Sequence, residues 1–566
     1  MMTSFLEYQY KRIDIKDWKE RFTRELDRFS NQSTLEEQKQ IILNINLLRN
    51  EVDTMINLAQ IRHTLDTNDS FYKIEQDYID RIEPDVQKMT SEYYKKMIET
   101  PFRNELEKEW GEQLFNLAET QINTFSKEII PLLQKENELV SDYTKLVASA
   151  KIPFKGNILT LNQLRPYSES VDRKTRKQAS EAISTFFVVH QQQFEQIYHQ
   201  LVQIRTEIAY KLGYKNFVEL GYHRLGRTDY NAEMVAEFRR QVKEYIVPFS
   251  EKLLDRQKER IEVDQLYYFD EPIKFLSGNA TPKGDADWII QQGQRMYEEL
   301  SKETRDFFQF MINHQLMDLI AKEGKATGGY CSYIAGYKSP FVFSNFSGVS
   351  SDVYVFIHEA GHAFQMYSSR DYGFPEYIFP TIEACEIHSM SMEFFTWPWM
   401  ELFFKEDTEK YKFAHLSEAI LSIPYRTAVD EFQHFVYEHP LITPAERNAA
   451  WRKIEKEYLP KRNYFDNDYL ESGGFWQRQS HLFHSPFYYI DYNLAQICAL
   501  QFWKKINHNK EEAWKDYLHL CKLGGTQSFL GLIKEAKLIS PFEKGCIESV
   551  IGEVRTWLDS INDQHL

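Results

Sequence analysis

The segment DVYVFIHEAGHAFQMYSS, residues 352–369, says most about how this chain folds. It contains no proline, and Ser350 and Ser351 directly before it are suitable N-caps, so the segment is predicted to form a helix. Its apolar residues occur on more than one side, which is typical of a helix that is buried nearly all round. The same helix carries two histidines and a glutamate, and buried polar groups of this kind need partners.

His358, Glu359 and His362 in this helix match the pattern H-E-x-x-H. Residues four apart share one face of a helix, so both imidazoles can bind one zinc ion. Glu359 lies between them and can reach a water molecule held by the same ion. Gly361 lowers helix propensity, which indicates that another element packs closely there. The pattern predicts the zinc site of a peptide hydrolase, in preference to a structural helix with hydrogen-bonded core histidines.

A second predicted helix, PTIEACEIHSMSMEFFTW at residues 380–397, offers candidates for a third ligand. Catalytic zinc usually has three protein ligands and one open position. Glu386 is the predicted third ligand, and Glu393, two turns later on the same face, is predicted to accept the ring N–H of a ligand histidine. Glu383 is the alternative ligand. His388 is less favoured, because a position two residues further along a helix points elsewhere.

Composition excludes several classes of protein. A net charge of −16 without any block rich in Lys and Arg argues against nucleic acid and anionic membranes as partners. No stretch of 18 apolar residues is present and the first residues lack an apolar core, so we expect neither a membrane span nor a usual signal peptide. The five cysteines form no C-x-x-C pair, which favours free thiols and a cytoplasmic location. Cys385, beside Glu386, is interpreted as a small buried residue.

Helical patterning dominates the chain, and 566 residues suggest two to four domain-sized units. Gly and Pro are scarce through residues 1–150, which predicts long helices joined by short turns. Residues 151–166 contain two prolines and a glycine and are predicted to be a junction, so we divide the chain into an N-terminal helical lobe, 1–165, and a catalytic region, 166–566. Residues 270–287 form a second loop-rich patch, which could flank a cleft. Only residues 328–348 have strand character, and they predict one small antiparallel sheet directly before the zinc helix, where an edge strand could bind an extended peptide backbone.

Taken in order, these motifs resemble one known family over nearly the whole chain. They are Gly328-Gly329-Tyr330-Cys331, PFVFSNFSG at 340–348, HEAGHAF at 358–364, EIHSMSME at 386–393 and HLFHSPFYYIDY at 481–492. The set is similar to that of the thimet oligopeptidase and oligoendopeptidase F family of zinc metallopeptidases, in the shorter bacterial branch that includes Pz-peptidases. His388 departs from the pattern, since the family usually has a small residue there.

The resemblance implies a mostly α-helical, elongated zincin-type body with a deep substrate channel and one Zn²⁺ per chain at its floor. It implies an oligoendopeptidase that cuts internal bonds of short unfolded peptides, with Glu359 as general base for a zinc-activated water. It further implies that the segment 481–492 contacts the substrate. Within that segment His481 and Tyr492, then Tyr489, are the favoured oxyanion donors. Tyr488, together with Phe343 and Asn345 of the strand region, is predicted to contact the substrate.

Two alternatives stay open. A zinc aminopeptidase would use the same motif, although the sequence contains no distinctive additional carboxylate motif that would capture a free N-terminus. A peptide-binding protein with an inactive site is the other alternative, and the intact His358, Glu359, His362 and Glu386 argue against it. A purely structural zinc site is disfavoured, because such sites are usually closed and rich in cysteine. The sequence leaves the cleavage preference, the physiological peptide and the oligomeric state undetermined.

Overall fold

Helices make up most of the computed structural model, which describes residues 4–31, 34–322, 324–326, 328–346 and 348–566. Ser347 of the segment 340–348 therefore lies outside the described residues. The first eleven helices are α1 Ile15–Asn31, α2 Leu35–Leu65, α3 Ser70–Ile98, α4 Arg103–Trp110, α5 Glu112–Asn123, α6 Ile130–Ala148, α7 Arg165–Ser168, α8 Arg173–Val189, α9 Gln191–Lys211, α10 Phe217–Arg224 and α11 Ala232–Gln241. The remaining helices are α12 Val247–Arg260, α13 Ala286–Leu300, α14 Lys302–Asn313, α15 Ser350–Ser369, α16 Pro375–Ile378, α17 Ile382–Phe395, α18 Met400–Phe404, α19 Thr408–Glu438, α20 Pro444–Tyr458, α21 Asp468–Glu471, α22 Ser480–His484, α23 Asp491–His508, α24 Lys510–Leu523, α25 Phe529–Glu535 and α26 Cys546–Ser560.

The mostly helical fold is confirmed, and so is the run of long helices before residue 150. The predicted junction at 151–166 contains an element that the sequence analysis missed. Strands β1, Ile152–Phe154, and β2, Asn157–Leu159, pair antiparallel across a two-residue turn. Lys155 and Gly156 in that turn both have positive φ, at 46° and 83°, as two-residue hairpin turns of the primed types require. Three-residue strands are too short to give a periodic signal in the sequence.

The sheet predicted at 328–348 is present, but its topology differs from the prediction. Strands β4, Tyr330–Ile334, and β5, Ser339–Phe346, pair antiparallel as predicted. A third strand, β3, Met317–Ile320, pairs parallel to the other edge of β5, so the sheet is mixed, with the order β3-β5-β4. Strand β5 is therefore the central strand of this sheet, paired on both sides at Val342 and Phe343, and β3 and β4 are its edge strands.

Helices α15 and α17 pack closely against each other at Gly361, where the sequence predicted a close contact. A Cβ atom on Gly361 would lie 2.7 Å from Cα of Ser389 and 3.1 Å from the carbonyl oxygen of His388. No real side chain tolerates such an approach to backbone, so glycine is required for this helix contact. The predicted helix at 352–369 is confirmed, and it begins at Ser350.

The apolar interior has two parts. The smaller part is formed by α1, α2, α3 and α5, joined by Phe374 and Tyr377 from the C-terminal half. The larger part surrounds α15 and α17 and also takes in Phe5 and Tyr8 from the chain start. Packing therefore crosses the division at residue 165 in both directions, and the division itself stays a prediction.

No helix in the described ranges is both long enough and apolar enough to cross a membrane. All five cysteines are free thiols, and four of them are buried. Cys385 is one of the buried four, and its Sγ lies 3.3 Å from the carbonyl oxygen of Pro380, in agreement with its interpretation as a small buried residue.

Candidate metal centre and active site

Three side chains from two helices converge on one point. His358 and His362 lie one turn apart on α15, and Glu386 approaches them from α17. Oε2 of Glu386 is 3.2 Å from Nε2 of His358 and 3.6 Å from Nε2 of His362. One potential ligand atom from each residue lies within 4.8 Å of the others, so the group could hold one metal ion. The two imidazoles and one carboxylate are the donor set of a catalytic zinc site with an open position.

The charges of this group favour a cation. Burial by itself would raise the pKa of Glu386, but His362 and His358 beside it lower that pKa to about 2. Burial lowers the pKa of His362 to about 4. At neutral pH the carboxylate is therefore ionised and His362 is neutral, which are the forms that bind a metal. Burial by itself would lower the pKa of His358, but Glu386 and Glu393 raise that pKa well above its usual value, so a metal ion would have to displace a proton from this ring.

Glu393 holds His358 in place from the side opposite Glu386. Nδ1 of His358 donates to Oε1 of Glu393 at 2.8 Å, so the predicted contact with a ligand histidine is present. Nε2 of His415, on α19, donates to Oε2 of the same carboxylate, also at 2.8 Å. The indole Nε1–H of Trp397 donates to Nδ1 of His415 at 3.1 Å. Since indole can only donate, the proton of His415 must sit on Nε2 and point at Glu393.

Glu359 directly follows His358 on α15, lies close to Gly329 before strand β4, and is only 8% exposed. A Cβ atom on Gly329, just before β4, would lie 3.8 Å from Oε1 of Glu359 and 3.3 Å from Val355. Glycine at that position therefore leaves space beside the carboxylate. Burial raises the pKa of Glu359 to about 7, with the neighbouring His358 opposing the effect. A carboxyl group with such a pKa can accept and return a proton near neutral pH.

The predicted His and Tyr side chains gather next to Glu386. The hydroxyl of Tyr488 donates to Oε1 of Glu386 at 3.0 Å. The ring centres of Tyr492 and Tyr488 are 5.0 Å apart. The ring centre of His481 lies within 5.9 Å of the ring centres of Tyr488, Tyr489 and Tyr492. Burial raises the pKa of both Tyr488 and Tyr492, so their hydroxyls remain protonated donors.

Gln479 sets the protonation of His481. Its Nε2 donates to Nδ1 of His481 at 2.7 Å, while its Oε1 accepts a hydrogen bond from Tyr425 at 3.1 Å. The remaining proton of the neutral imidazole is therefore on Nε2. Burial lowers the pKa of His481 to about 4, so the ring is neutral at pH 7 and acts as a hydrogen-bond donor without adding a competing charge.

A constrained turn positions Tyr488. Phe487, directly before it, has a φ of 69°, a left-handed conformation that costs a non-glycine residue on the order of 1–2 kcal/mol. The backbone N–H of Phe487 donates to Gln433 at 2.8 Å, and its carbonyl accepts from Arg227 at 2.6 Å. Its ring is fully buried, and a Cβ atom on Gly221 would come within 2.6 Å of it. The surrounding contacts thus fix the turn, which agrees with a functional role for the residue that follows.

Phe343 and Asn345 have roles that differ from the predicted substrate contact. Phe343 is fully buried, its ring stacks on Tyr330 at 4.8 Å, and Nζ of Lys325 lies 4.5 Å above it. Nδ2 of Asn345 donates to the carbonyl oxygens of Ala326 and residue 328, at 2.8 and 2.9 Å. Both side chains are therefore occupied in supporting β5 and the segment before β4.

The two alternative ligands lie outside the metal group. His388 is buried, and its Nδ1 is 2.7 Å from the carbonyl oxygen of Ala384. Glu383 is also fully buried, but neither of its carboxylate oxygens has a hydrogen-bond partner among the described residues. Neither residue joins the candidate ligand group.

A cavity of about 800 Å³ borders this centre. Its wall includes Glu393 and His415 beside the metal group, Tyr489 from the aromatic cluster, and Arg426 on α19. The predicted loop-rich patch also lines the cavity, through Glu271, Pro272, Lys274, Asn279 and Ala280. The position of that patch agrees with its predicted place beside a cleft.

Sequence reasoning missed His415, Trp397, Gln479 and Arg426. None of them belongs to a motif that the sequence analysis used. His415 and Trp397 act through partners distant in the chain, Arg426 lines the cavity, and Gln479 contacts His481 two residues away. One signal was present in α19, where Tyr411, His415, Glu418, Ser422 and Tyr425 recur every three or four residues and all line the cavity. The same spacing describes an ordinary solvent-exposed face, so the pattern alone could not separate the two.

Comparison with known proteins identifies the family. A model of the peptidase M3 N-terminal domain matches residues 5–125, and a model of peptidase family M3 matches residues 294–550. An oligoendopeptidase F homologue from Borreliella burgdorferi is 25% identical over 316 residues, 54% of this chain. The matched region spans 52%, about half, of the length of that curated relative.

Solved structures match over the full length. The structure of Pz-peptidase A with an inhibitor is 60% identical, covering 99% of this chain and 100% of that one, with a TM-score of 0.95. A protein assigned as an oligoendopeptidase F from Bacillus anthracis strain Ames is 55% identical over 100% of both chains, with a TM-score of 0.91. The predictions of the family and of a peptidase enzyme are confirmed by these matches. The chain belongs to peptidase family M3, in the group of oligoendopeptidase F and Pz-peptidase.

Proposed function

We propose that this protein is a zinc-dependent endopeptidase that hydrolyses internal bonds of short peptides. One observation carries the proposal: His358 and His362 on α15, the helix that also carries Glu359, and Glu386 on α17 bring their ligand atoms within 4.8 Å of one another. These three residues would hold one zinc ion. When bound, that ion would activate a water molecule and polarise the carbonyl group of the scissile bond.

The side chains around the group can perform the remaining steps. Glu359, with its pKa raised to about 7, would accept a proton from the attacking water and deliver it to the leaving amine. Nε2–H of His481 and the hydroxyl of Tyr492, then that of Tyr489, would donate hydrogen bonds to the oxygen on which negative charge develops. Tyr488, whose hydroxyl already donates to Glu386, would contact the substrate. Glu393 and His415 would keep the ring of His358 oriented.

The cavity supports short peptides as the substrate class. Its volume of about 800 Å³ is in the range of small-molecule sites, which bury most of a bound ligand. A few residues of an extended peptide fit such a volume, and a folded domain does not.

We also propose a cytoplasmic location on the basis of the five free thiols, and a division of labour between an N-terminal lobe and a catalytic region.

The test is hydrolysis of a peptide blocked at both ends, with the products identified by mass spectrometry. We expect internal cleavage that is lost on chelation and restored by zinc. Cleavage that requires a free amino terminus would replace this proposal with an aminopeptidase, and binding without turnover would replace it with a peptide-binding protein.

The variant Glu359→Gln should keep its bound zinc and lose nearly all turnover, a loss of at least about 10²–10⁴-fold. Metal analysis of the same preparation is the control, because it separates loss of the base from loss of the ion. Turnover near the wild-type level in the zinc-loaded variant would reject Glu359 as the general base.

A further inference from the structure

The charges on the cavity wall are paired, with one exception. Nζ of Lys274 lies 2.8 Å from Glu418, and Nη2 of Arg462 lies 2.6 Å from Glu271. Nε of Arg165 lies 3.2 Å from Glu169, and the fourth carboxylate of the wall, Glu393, is occupied by two histidines. Among the described residues that line the cavity, Arg426 is the cation that lacks an ion-pair partner.

Arg426 is held beside the catalytic cluster by uncharged groups. Its Cζ lies 5.4 Å from the centre of the Tyr492 ring. It also borders Tyr489, where its positive charge and a hydrogen bond oppose the effect of burial on the pKa of that phenol. Lys274 and, more weakly, Arg426 lower the pKa of Glu418, but the Glu418 carboxylate is already paired with Lys274.

The guanidinium also has unused hydrogen-bonding capacity. Nη1 of Arg426 is buried and has no hydrogen-bond partner in the described part of the chain. A half-buried guanidinium without a counterion is costly, because desolvation of the charge is not offset by an attractive partner. A planar group with several donors is best satisfied by a carboxylate, which can accept two parallel hydrogen bonds. Arg426 is thus the cation of the wall without a carboxylate partner among the described residues, and one further carboxylate could pair with it.

We propose that Arg426 binds a carboxylate group of the peptide substrate. This inference rests on the proposed function, since it concerns the same cavity. A series of contacts connects Arg426 to Glu386: the guanidinium lies 5.4 Å from the centre of the Tyr492 ring, that ring is centred 5.0 Å from the Tyr488 ring, and the Tyr488 hydroxyl bonds Glu386. At about 3.3 Å per extended residue, the carboxylate would lie roughly two to four residues from the scissile bond. The C-terminal carboxylate of a short peptide and an Asp or Glu side chain carry the same chemistry, and the experiment distinguishes them.

The experiment measures kcat/KM for matched peptides that differ in one group. In the first pair, one peptide has a free C-terminal carboxylate and the other has a C-terminal amide. The remaining pairs compare Asp with Asn at a single position, placed two, three or four residues to either side of the cleaved bond. We expect wild-type enzyme to prefer one carboxylate peptide over its amide partner by about 10- to 100-fold, the contribution of a charged hydrogen bond. The pair that shows the preference identifies the source of the carboxylate.

Three variants connect that preference to Arg426. Arg426→Gln should bring the ratio for the preferred pair close to one, and Arg426→Lys should retain part of it, because the charge remains without the planar fork. Arg165→Gln is the matched control, since Arg165 lines the same cavity but is paired with Glu169, and it should retain the wild-type ratio. Thermal melting of each variant excludes misfolding as the cause of a changed ratio.

A binding measurement separates this inference from the proposed function. Calorimetric affinities of the same peptide pairs for Glu359→Gln, with and without Arg426→Gln, do not depend on turnover. Two results would overturn the inference even though peptides are still cut. In one, Arg426→Gln keeps the carboxylate-to-amide ratio of the wild type in both rates and affinities. In the other, the wild-type enzyme has no carboxylate preference in either measurement. If no peptide is cut, the proposed function fails, and a carboxylate preference in the affinities that disappears with Arg426→Gln would still support the inference.

Discussion

The Glu393→Gln substitution should weaken the binding of zinc although Glu393 is not a ligand. Both oxygens of Glu393 accept hydrogen bonds at 2.8 Å, one from His358 and one from His415. A glutamine amide has only one oxygen, so its N–H group must face one of these two donors. His415 cannot adapt, because Trp397 donates to its Nδ1 and keeps the proton on Nε2.

The expected size of the effect follows from the burial of this site. Glu393 is only 5% exposed, so water cannot satisfy the N–H group that is left without an acceptor. A buried donor without a partner costs about 1–3 kcal/mol. Changes behind a metal ligand typically cost 10- to 100-fold in metal affinity, which corresponds to about 1.4–2.7 kcal/mol. We therefore expect the zinc Kd of Glu393→Gln to rise by roughly 10- to 100-fold.

A second substitution tests the proton positions directly. In Trp397→Phe the indole donor is absent, so His415 can carry its proton on Nδ1 and accept a hydrogen bond at Nε2. Adding Trp397→Phe to Glu393→Gln should therefore recover a large part of the lost zinc affinity, whereas Trp397→Phe alone should change it by less than about threefold. A double-mutant cycle with these four proteins gives the coupling energy.

The assay is competition for zinc with a chelator of known affinity, together with thermal melting of each metal-free protein. Melting controls for packing, since Trp397 contacts the rings of Trp503 and Trp557. If the folded double variant binds zinc as weakly as Glu393→Gln, the assigned proton positions are wrong. Wild-type affinity in Glu393→Gln would show that Glu393 does not support the metal site at all.

Three further predictions concern the catalytic cluster, the helix contact and a buried acid. Tyr492→Phe should lower kcat more than it raises KM; a pure KM effect in steady-state kinetics would make this hydroxyl a ground-state contact. Gly361→Ala should destabilise the fold by about 1–3 kcal/mol in urea unfolding, because the new methyl would lie 2.7 Å from Cα of Ser389, and an unchanged midpoint would contradict the close helix contact. Burial raises the pKa of Glu383 from 4.5 to about 8, so the folded protein holds a proton that the unfolded chain has released, and its stability falls as pH rises between those values. Glu383→Gln should flatten that decline between pH 5 and pH 8, and an identical slope in both proteins would show that Glu383 is ionised in the folded state.

The local part of the site could be predicted from sequence because helical geometry fixes it. His358 and His362 must share a face at a spacing of four, and Glu386 and Glu393 must do so at a spacing of seven. Gly361 indicated the close contact that brings these two helices together. Once both helices are placed, the positions of all four side chains follow with little further information.

The part that could not be predicted depends on long-range pairing. Strand β3 joins the sheet parallel to β5, and no local pattern encodes which edge of a neighbour a short strand will choose. That choice made β5 a central strand. Phe343, which was predicted to contact the substrate, lies in the interior instead. His415 lies 22 residues after Glu393, and a lone histidine in a helix is most simply interpreted as a core residue.

Helix α19 links the metal centre to the choice of substrate. His415 and Arg426 are eleven residues apart on it, which is close to three full turns, so both can face the same cavity. One contacts Glu393 behind the metal group, and the other is the unpaired cation proposed to bind the substrate carboxylate. Because one continuous helix carries both groups, that helix would set the distance between the scissile bond and the bound carboxylate. The enzyme would then favour peptides in which a carboxylate lies at one set distance from the cleaved bond. A change that tilts α19 should alter zinc affinity and the carboxylate preference together, whereas Arg426→Gln should alter only the preference.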